Sequence, residues 1–181
     1  MGHVDDATLM RRWQGGDSTA LAALIERWQT PVARFLTRLA GPDRAPDLCQ
    51  ETFLRLMRWA DRYHERGTFS TWLFQVALNV ARDEGRRRPA FPPPGPRFGE
   101  PPDELCEREE LARAVAEALG ELPPQLREVV ALRHDAGLNF EAMARLLGTP
   151  ASTLKSRFAA ALSRLRTRLA EWGFHAEETH S

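Results

Sequence analysis

The chain has 181 residues, enough for one medium domain or two small ones, with 25 basic and 25 acidic side chains and a formal net charge of zero. No apolar run approaches the ~20 residues that a bilayer-spanning helix requires, and Met1 to Asp17 carries acids without an apolar stretch, so it does not read as a signal peptide. Cys49 and Cys106 stand far apart and outside any CxxC pattern, which argues against a disulfide framework or a zinc site and makes the cytoplasm the expected compartment.

Zero net charge hides an uneven distribution. Five cations and no acid lie between Ala151 and Ala170: Lys155, Arg157, Arg164, Arg166 and Arg168. A second cluster, Arg82 with Arg86, Arg87 and Arg88, closes the first half, and an acid-rich stretch around Glu107, Glu109 and Glu110 follows. Basic and acidic segments in one chain would also let two halves fold together and mask a basic face.

In chain order, Gly15-Gly16-Asp17 reads as a helix-start turn. Leu21, Leu24, Ile25, Trp28, Val32, Phe35, Leu36 and Leu39 then recur at helical spacing behind Asp17 as N-cap, and Pro31 is expected to kink or break that helix. A second helix is predicted from about Ala45 to Ala60, and a third from a Ser70 cap to Arg88. Pro89 to Pro102, reading PAFPPPGPRFGEPP, is the clearest boundary, since proline removes amide donors and blocks helix. Beyond it, a helix from Glu104 to Leu119 carries acids in its first turn, where the helix dipole favours them. Leu122-Pro123-Pro124 starts the next, with Leu126, Val129, Val130 and Leu132. Asn139 caps a short helix, Gly148-Thr149-Pro150 breaks it, and a longer helix runs to about Trp172. No strand alternation and no internal repeat is visible, so the fold class is all-α.

No catalytic constellation stands out. His3, His64, His134, His175 and His180 are scattered, with no HExxH and no cysteine neighbour, and no Gly-rich phosphate loop follows a strand. No catalytic residue, metal or cofactor is expected. Cys49 falls on the inward side of its helix, away from the exposed, cation-rich setting that activates a thiol.

The last two helices have helix-turn-helix punctuation. On the final helix Leu154, Phe158, Ala161, Leu162, Leu165 and Leu169 share one side, while Ser152, Ser156, Ala159, Ala160 and Ser163 face away with Lys155 and Arg157 at the flanks. A small-residue face flanked by cations fits a DNA groove, although a solvated bundle helix has the same pattern. Residues Leu122 to Leu165 decide more: Leu-Pro, Leu132-Arg133, Gly137-Leu138, Phe140-Glu141, Ala144, Leu147, Pro150, Thr153 and Lys155-Ser156-Arg157 resemble region 4 of the extracytoplasmic-function (ECF) sigma factors of bacterial RNA polymerase. The resemblance implies that this helix reads the −35 promoter element through Thr153, Lys155, Ser156 and Arg157. Ala160 and Leu162 stand where many relatives carry arginine, which implies fewer phosphate contacts.

The first half resembles sigma region 2 at Ala45-Pro46-Asp47-Leu48-Cys49-Gln50-Glu51-Thr52-Phe53. Leu48, Cys49, Phe53, Leu56, Trp59 and Ala60 share one side of that helix, and Asp47, Gln50, Glu51 and Arg58 the other, with Leu54 outward among them. An apolar centre in a polar rim suits a partner-binding face. The resemblance implies that the partner is the clamp-helix coiled coil of the largest subunit of core RNA polymerase, bound by Asp47, Gln50, Glu51, Leu54 and Arg58. Tyr63 to Leu73, then Ala77, Asn79 and Arg82, resembles the segment that captures the −10 element. Strand capture needs polar edges for an unstacked base and cations along the backbone; His64, Glu65, Arg66 and Thr68 supply the former, and Asn79, Arg82, Arg86 and Arg87 can track the phosphates. Trp72 reads as core, beside Leu73, Val76 and Val80.

Together these motifs, over about four fifths of the chain, imply two small helical domains: a three- or four-helix region 2 bundle at 5–88 and a region 4 helix-turn-helix at 105–172. A Pro-rich linker at 89–104 joins them, either threading toward the polymerase active centre or acting as a plain spacer, and 173–181 form a tail. The implied function is promoter recognition and transcription initiation, without covalent chemistry. The implied partners are core RNA polymerase, promoter DNA and, in many members of the family, an anti-sigma factor, with no membrane insertion. Two rivals stand beside it: a stand-alone helix-turn-helix regulator, and a sigma-like interaction protein that has lost DNA binding.

Overall fold

The computed structural model describes residues 4–63, 68–87 and 104–174, with side chains in the last stretch from 110 onward. Among them are eight α-helices, one 3₁₀ turn and no strand. The first helix, α1 (Asp6–Gln14), has no counterpart in the periodicity reading; Asp5 caps it, accepting from the Thr8 amide at 2.9 Å, and Leu9 and Met10 are its buried residues. In α2 (Ser18–Ala40) the Asp17 cap is present, with the Thr19 amide 2.9 Å from its carboxylate.

The break expected at Pro31 is absent: α2 runs through it. A mid-helix proline costs ~3 kcal/mol. Leu24, Val32, Phe35 and Leu36 on the same helix are each at most 1% exposed, and burying a large apolar side chain contributes ~1.5–3 kcal/mol. Packing outweighs the proline.

After α3 (Ala45–Arg58) the chain makes a 3₁₀ turn, Ala60–Arg62, rather than extending the helix to Ala60. The next helix, α4 (Phe69–Arg87), starts one residue before Ser70, and its cap is Thr68, whose Oγ1 accepts from the Thr71 amide at 3.3 Å. The later helices are α5 (Glu104–Glu121), α6 (Pro124–His134), α7 (Phe140–Leu147) and α8 (Ala151–Glu171). Asn139 caps α7 through the Ala142 amide at 2.8 Å, and Gly148 ends it with φ 63°, a left-handed conformation that favours glycine.

An aromatic cluster fills the middle of α1–α4: Phe35 and Phe74 meet edge to face with centroids 5.1 Å apart, and Trp28, Tyr63, Phe69 and Trp72 continue it. The two sets of helices share a core. In α6 four consecutive residues, Val129 to Leu132, are all buried. Val129, Ala131 and Leu132 belong to one core with buried residues of α1–α4, α7 and α8, whereas Val130 packs with Leu119, Leu122 and Ala161 in a second one. A helix buried at four consecutive positions needs partners on more than one side, and α6 has them. Polar links follow the same seam, Arg38 to Asp135, Arg82 to Glu128, and Arg127 to the Leu39 carbonyl at 3.4 Å.

Candidate nucleic-acid and polymerase-binding surfaces

Three surfaces carry the residues singled out from the sequence. On α8, Leu154 and Ala161 are buried, and Ser152, Thr153, Lys155, Ser156, Ala159, Ala160 and Ser163 are exposed. Arg157 is half-buried at the flank. Leu162 departs from the helical-wheel reading: it is 43% exposed, on the outward side. The tight turn through Gly148 sets α7 against α8, and Phe140 at the start of α7 packs on Phe158 with centroids 5.9 Å apart. The Phe140 ring also seats two cations, Arg133 at 5.6 Å and Lys155 at 5.9 Å. The sequence reading missed this role; the signal was an aromatic residue at the first position of a helix flanked in space by Arg and Lys.

On α3, Asp47, Gln50, Leu54 and Arg58 are exposed and Glu51 is half-buried, all on one face. Leu54 is 41% exposed, and Met57, three residues on, is 46% exposed. The apolar centre is therefore a pair, and Met57 was legible from its i+3 spacing to Leu54. Glu51 is tied to Arg55 at 2.7 Å and to Arg58 at 3.5 Å, and Arg55 reaches across to Asp83 of α4 at 2.7 Å. Those bonds raise the Arg55 pKa further, and the hydrogen bond from Arg55 holds the Asp83 carboxyl below its ordinary range. The buried side departs from the expected set: Thr52 is fully buried, its hydroxyl donating to the Leu48 carbonyl at 2.7 Å, while Cys49, Phe53, Trp59 and Ala60 are only half-buried. Burial pushes the Cys49 thiol up, away from a reactive thiolate.

The third surface joins the α4 start to its basic end. Phe69 is buried and Trp72 half-buried, both in the aromatic core. Thr68 is exposed, but its hydroxyl is occupied by the helix cap and by Ser70 and Thr71 at 3.0 and 2.8 Å. His64, Glu65 and Arg66 lie outside the described residues, as do Arg88 and the Pro-rich segment. Asn79, Arg82, Arg86 and Arg87 are exposed along one helix. Two of them are engaged: Arg86 pairs with Asp83, and Arg82 grips Glu128 of α6 with both ends of its guanidinium, each bond 2.7 Å. That hydrogen bonding raises the Arg82 pKa. The surfaces hold cations, small residues and an apolar pair; among the described residues no group of His, Cys, Asp and Glu could hold a metal. Nor is any helix there long and apolar enough to cross a membrane.

Residues 24–90 match the family model Sigma-70 region 2, and residues 112–165 match Sigma-70, region 4. The chain is 32% identical over 169 residues to the ECF RNA polymerase sigma-E factor of Escherichia coli, covering 85% of this chain and 88% of that one. It is 31% identical to the protein of the same name from Haemophilus influenzae, over 85% and 89% of the two chains. Among solved structures, CnrH in complex with the cytosolic domain of CnrY is similar at a TM-score of 0.72 and 26% identity, with 92% of this chain and 97% of that chain covered. The sigma factor RpoE of Bartonella quintana, solved with the anti-sigma factor NepR, shares the fold at a TM-score of 0.64 and 22% identity, over 82% and 96%.

Regions 2 and 4 in this order define a promoter-recognition subunit of RNA polymerase. The chain belongs to the ECF sigma factors. Its function is to bind core RNA polymerase and direct promoter recognition and transcription initiation, as a transcription factor in a family of non-enzymes; neither rival reading is favoured.

Proposed function

We propose a division of labour along the chain: 5–88 bind core polymerase and the −10 element, 105–172 bind the −35 element, 89–104 join them, and 173–181 form a tail. The observation that carries the reading is the outward face of α8, where Thr153, Lys155 and Ser156 stand exposed above buried Leu154 and Ala161. An exposed N-terminal turn of this kind suits insertion into the major groove, where a good bidentate side-chain pair contributes ~1–3 kcal/mol of base discrimination. Thr153, Lys155, Ser156 and Arg157 make those contacts. Ala160 and exposed Leu162 add no charge to them.

Asp47, Gln50, Glu51, Leu54 and Arg58 dock on the clamp helices of the largest polymerase subunit, and the Leu54–Met57 pair supplies an apolar centre. His64, Glu65, Arg66 and Thr68 form the edge that meets the unpaired −10 strand, while Asn79, Arg82, Arg86 and Arg87 follow its backbone. The protein works in the cytoplasm and makes or breaks no covalent bond. An anti-sigma factor is a further partner: CnrH and the Bartonella RpoE were each solved with a second protein, named as an anti-sigma factor in the RpoE case.

Run-off transcription by purified core polymerase with this protein, on fragmented genomic DNA from its own source, tests the assignment. New discrete transcripts are expected, lost with Leu54→Glu and with Lys155→Ala/Arg157→Ala. Transcripts that persist in either folded variant would refute the residue roles.

A further inference from the structure

Arg82 has two claimants. As a −10 contact its guanidinium faces a phosphate; in the structure it is closed on Glu128 of α6, Nε and Nη2 each 2.7 Å from a different carboxylate oxygen. A fork-to-fork pair of this kind uses the donors that a phosphate would take, so the two engagements exclude each other at this side chain. A second arginine of the first half is held in the same way at the far end of α6. Arg38 of α2 donates to Asp135 from Nε at 2.6 Å and from Nη2 at 3.0 Å, and the Asp135 side chain is 3% exposed. Both acids belong to the second half, both arginines to the first, and α6 also contributes Val129, Ala131 and Leu132 to the apolar core that the two halves share.

The promoter sets a distance that this arrangement does not meet. Elements centred near −10 and −35 lie about 25 base pairs apart, on the order of 85 Å at ~3.4 Å per pair. A compact body of 181 residues has a radius of gyration of only ~16 Å. Reading both elements together therefore requires the halves to part, and Arg82–Glu128 and Arg38–Asp135 must break when they do. We propose that these two bidentate ion pairs are a latch that holds the free factor closed and withholds Arg82 from promoter DNA until the halves separate. The withholding part rests on the assignment of Arg82 to the −10 contact; the closure does not. The two pairs differ in their exposure to salt. Arg82 is 41% and Glu128 15% exposed, whereas Arg38 and Asp135 are 19% and 3% exposed, so added salt loosens the Arg82 end first.

The test uses the full-length chain in small-angle scattering, and its binding to a single-stranded −10 oligonucleotide. Wild type is expected to scatter as one compact body at low salt. Glu128→Gln/Asp135→Asn, neutral and nearly isosteric, is expected to scatter as two separated halves with unchanged helix content. It is also expected to bind the oligonucleotide ~10-fold more tightly, the factor by which a one-in-ten open population weakens apparent affinity. The charge exchange Arg82→Glu/Glu128→Arg is expected to stay compact. Extended scattering from wild type, or compact scattering from the neutral variant, overturns the latch. An opened variant with wild-type oligonucleotide affinity overturns the withholding of Arg82. Arg82→Ala added to the opened Glu128→Gln/Asp135→Asn variant, where no latch remains to be broken, that leaves oligonucleotide affinity unchanged refutes the DNA role itself, a separate failure.

Discussion

Lys155 rests its ammonium 5.9 Å from the centre of the Phe140 ring, across the turn that joins α7 to α8. Arg133 of α6 lies over the same ring at 5.6 Å. One aromatic side chain therefore steadies two cations beside the outward turn of α8, and a cation held in place loses less freedom when a phosphate or base arrives.

Phe140→Leu keeps most of the packing on Phe158 and removes the seat. At ~0.5–1 kcal/mol per exposed cation–π contact, affinity for a −35 duplex is expected to fall ~2- to 5-fold. The melting temperature should move far less than with Phe140→Ala. Fluorescence anisotropy on a −35 duplex, read beside thermal melts, checks both; equal affinity in the leucine variant would remove the positioning role.

Met57→Glu is expected to weaken binding to core polymerase at least ~10-fold, the effect of ~1.4 kcal/mol or more at a buried apolar contact. Its 46% exposure in the free protein makes the change nearly neutral for folding. Competition for core polymerase against labelled wild type, with circular dichroism to confirm the fold, provides the measurement.

Asp83→Asn separates α3 from α4 electrostatically. The hydrogen bond from Arg55 lowers the Asp83 pKa in the folded state, so its stabilisation is complete above the ordinary carboxylate range near ~4 and is lost as pH falls through the lowered folded value. The variant is expected to be less stable than wild type by ~0.5–1 kcal/mol at neutral pH, given the part-exposed pair. That difference should close in acid below the lowered value. Denaturant melts at neutral pH and in strong acid decide it; a constant difference would assign the loss to packing.

The α7 boundaries give a stability test. Asn139→Ala removes the oxygen that accepts from the Ala142 amide and is expected to cost ~1 kcal/mol. Gly148→Ala places a Cβ at φ 63°, with an expected loss of ~1 kcal/mol. Thermal denaturation of each variant reads these directly.

Much of this architecture was legible in the sequence because its signals are local. Asp17 and Asn139 cap the helices they were expected to cap, Gly148 turns where it was expected to turn, and Thr153, Lys155 and Ser156 lie on the outward face of α8. What was missed depends on distant partners. The helix α1 buries little beyond Leu9 and Met10, too few positions to show a period. Pro31 was read as a break because its cost is local and the burial that overrides it is tertiary. Leu162 was assigned inward from a wheel alone. The pairs Arg82–Glu128 and Arg38–Asp135 span 46 and 97 positions, and no spacing rule links residues so far apart. On the candidate surfaces, Asp47, Gln50, Arg58, Asn79, Thr153, Lys155 and Ser156 are exposed while Glu51 and Arg157 are half-buried, and the sequence gave no hint that Arg82 was already engaged.

The place of α6 in two cores has a calorimetric consequence. Because Val129 and Leu132 complete one core while Val130 completes the other, melting this single helix dissolves both. The closed protein should therefore unfold in one endotherm rather than two. Once the halves part, the core that spans them is divided, and apolar side chains of each half face water. The opened form should then melt in two steps, each half having lost part of the interior it shared.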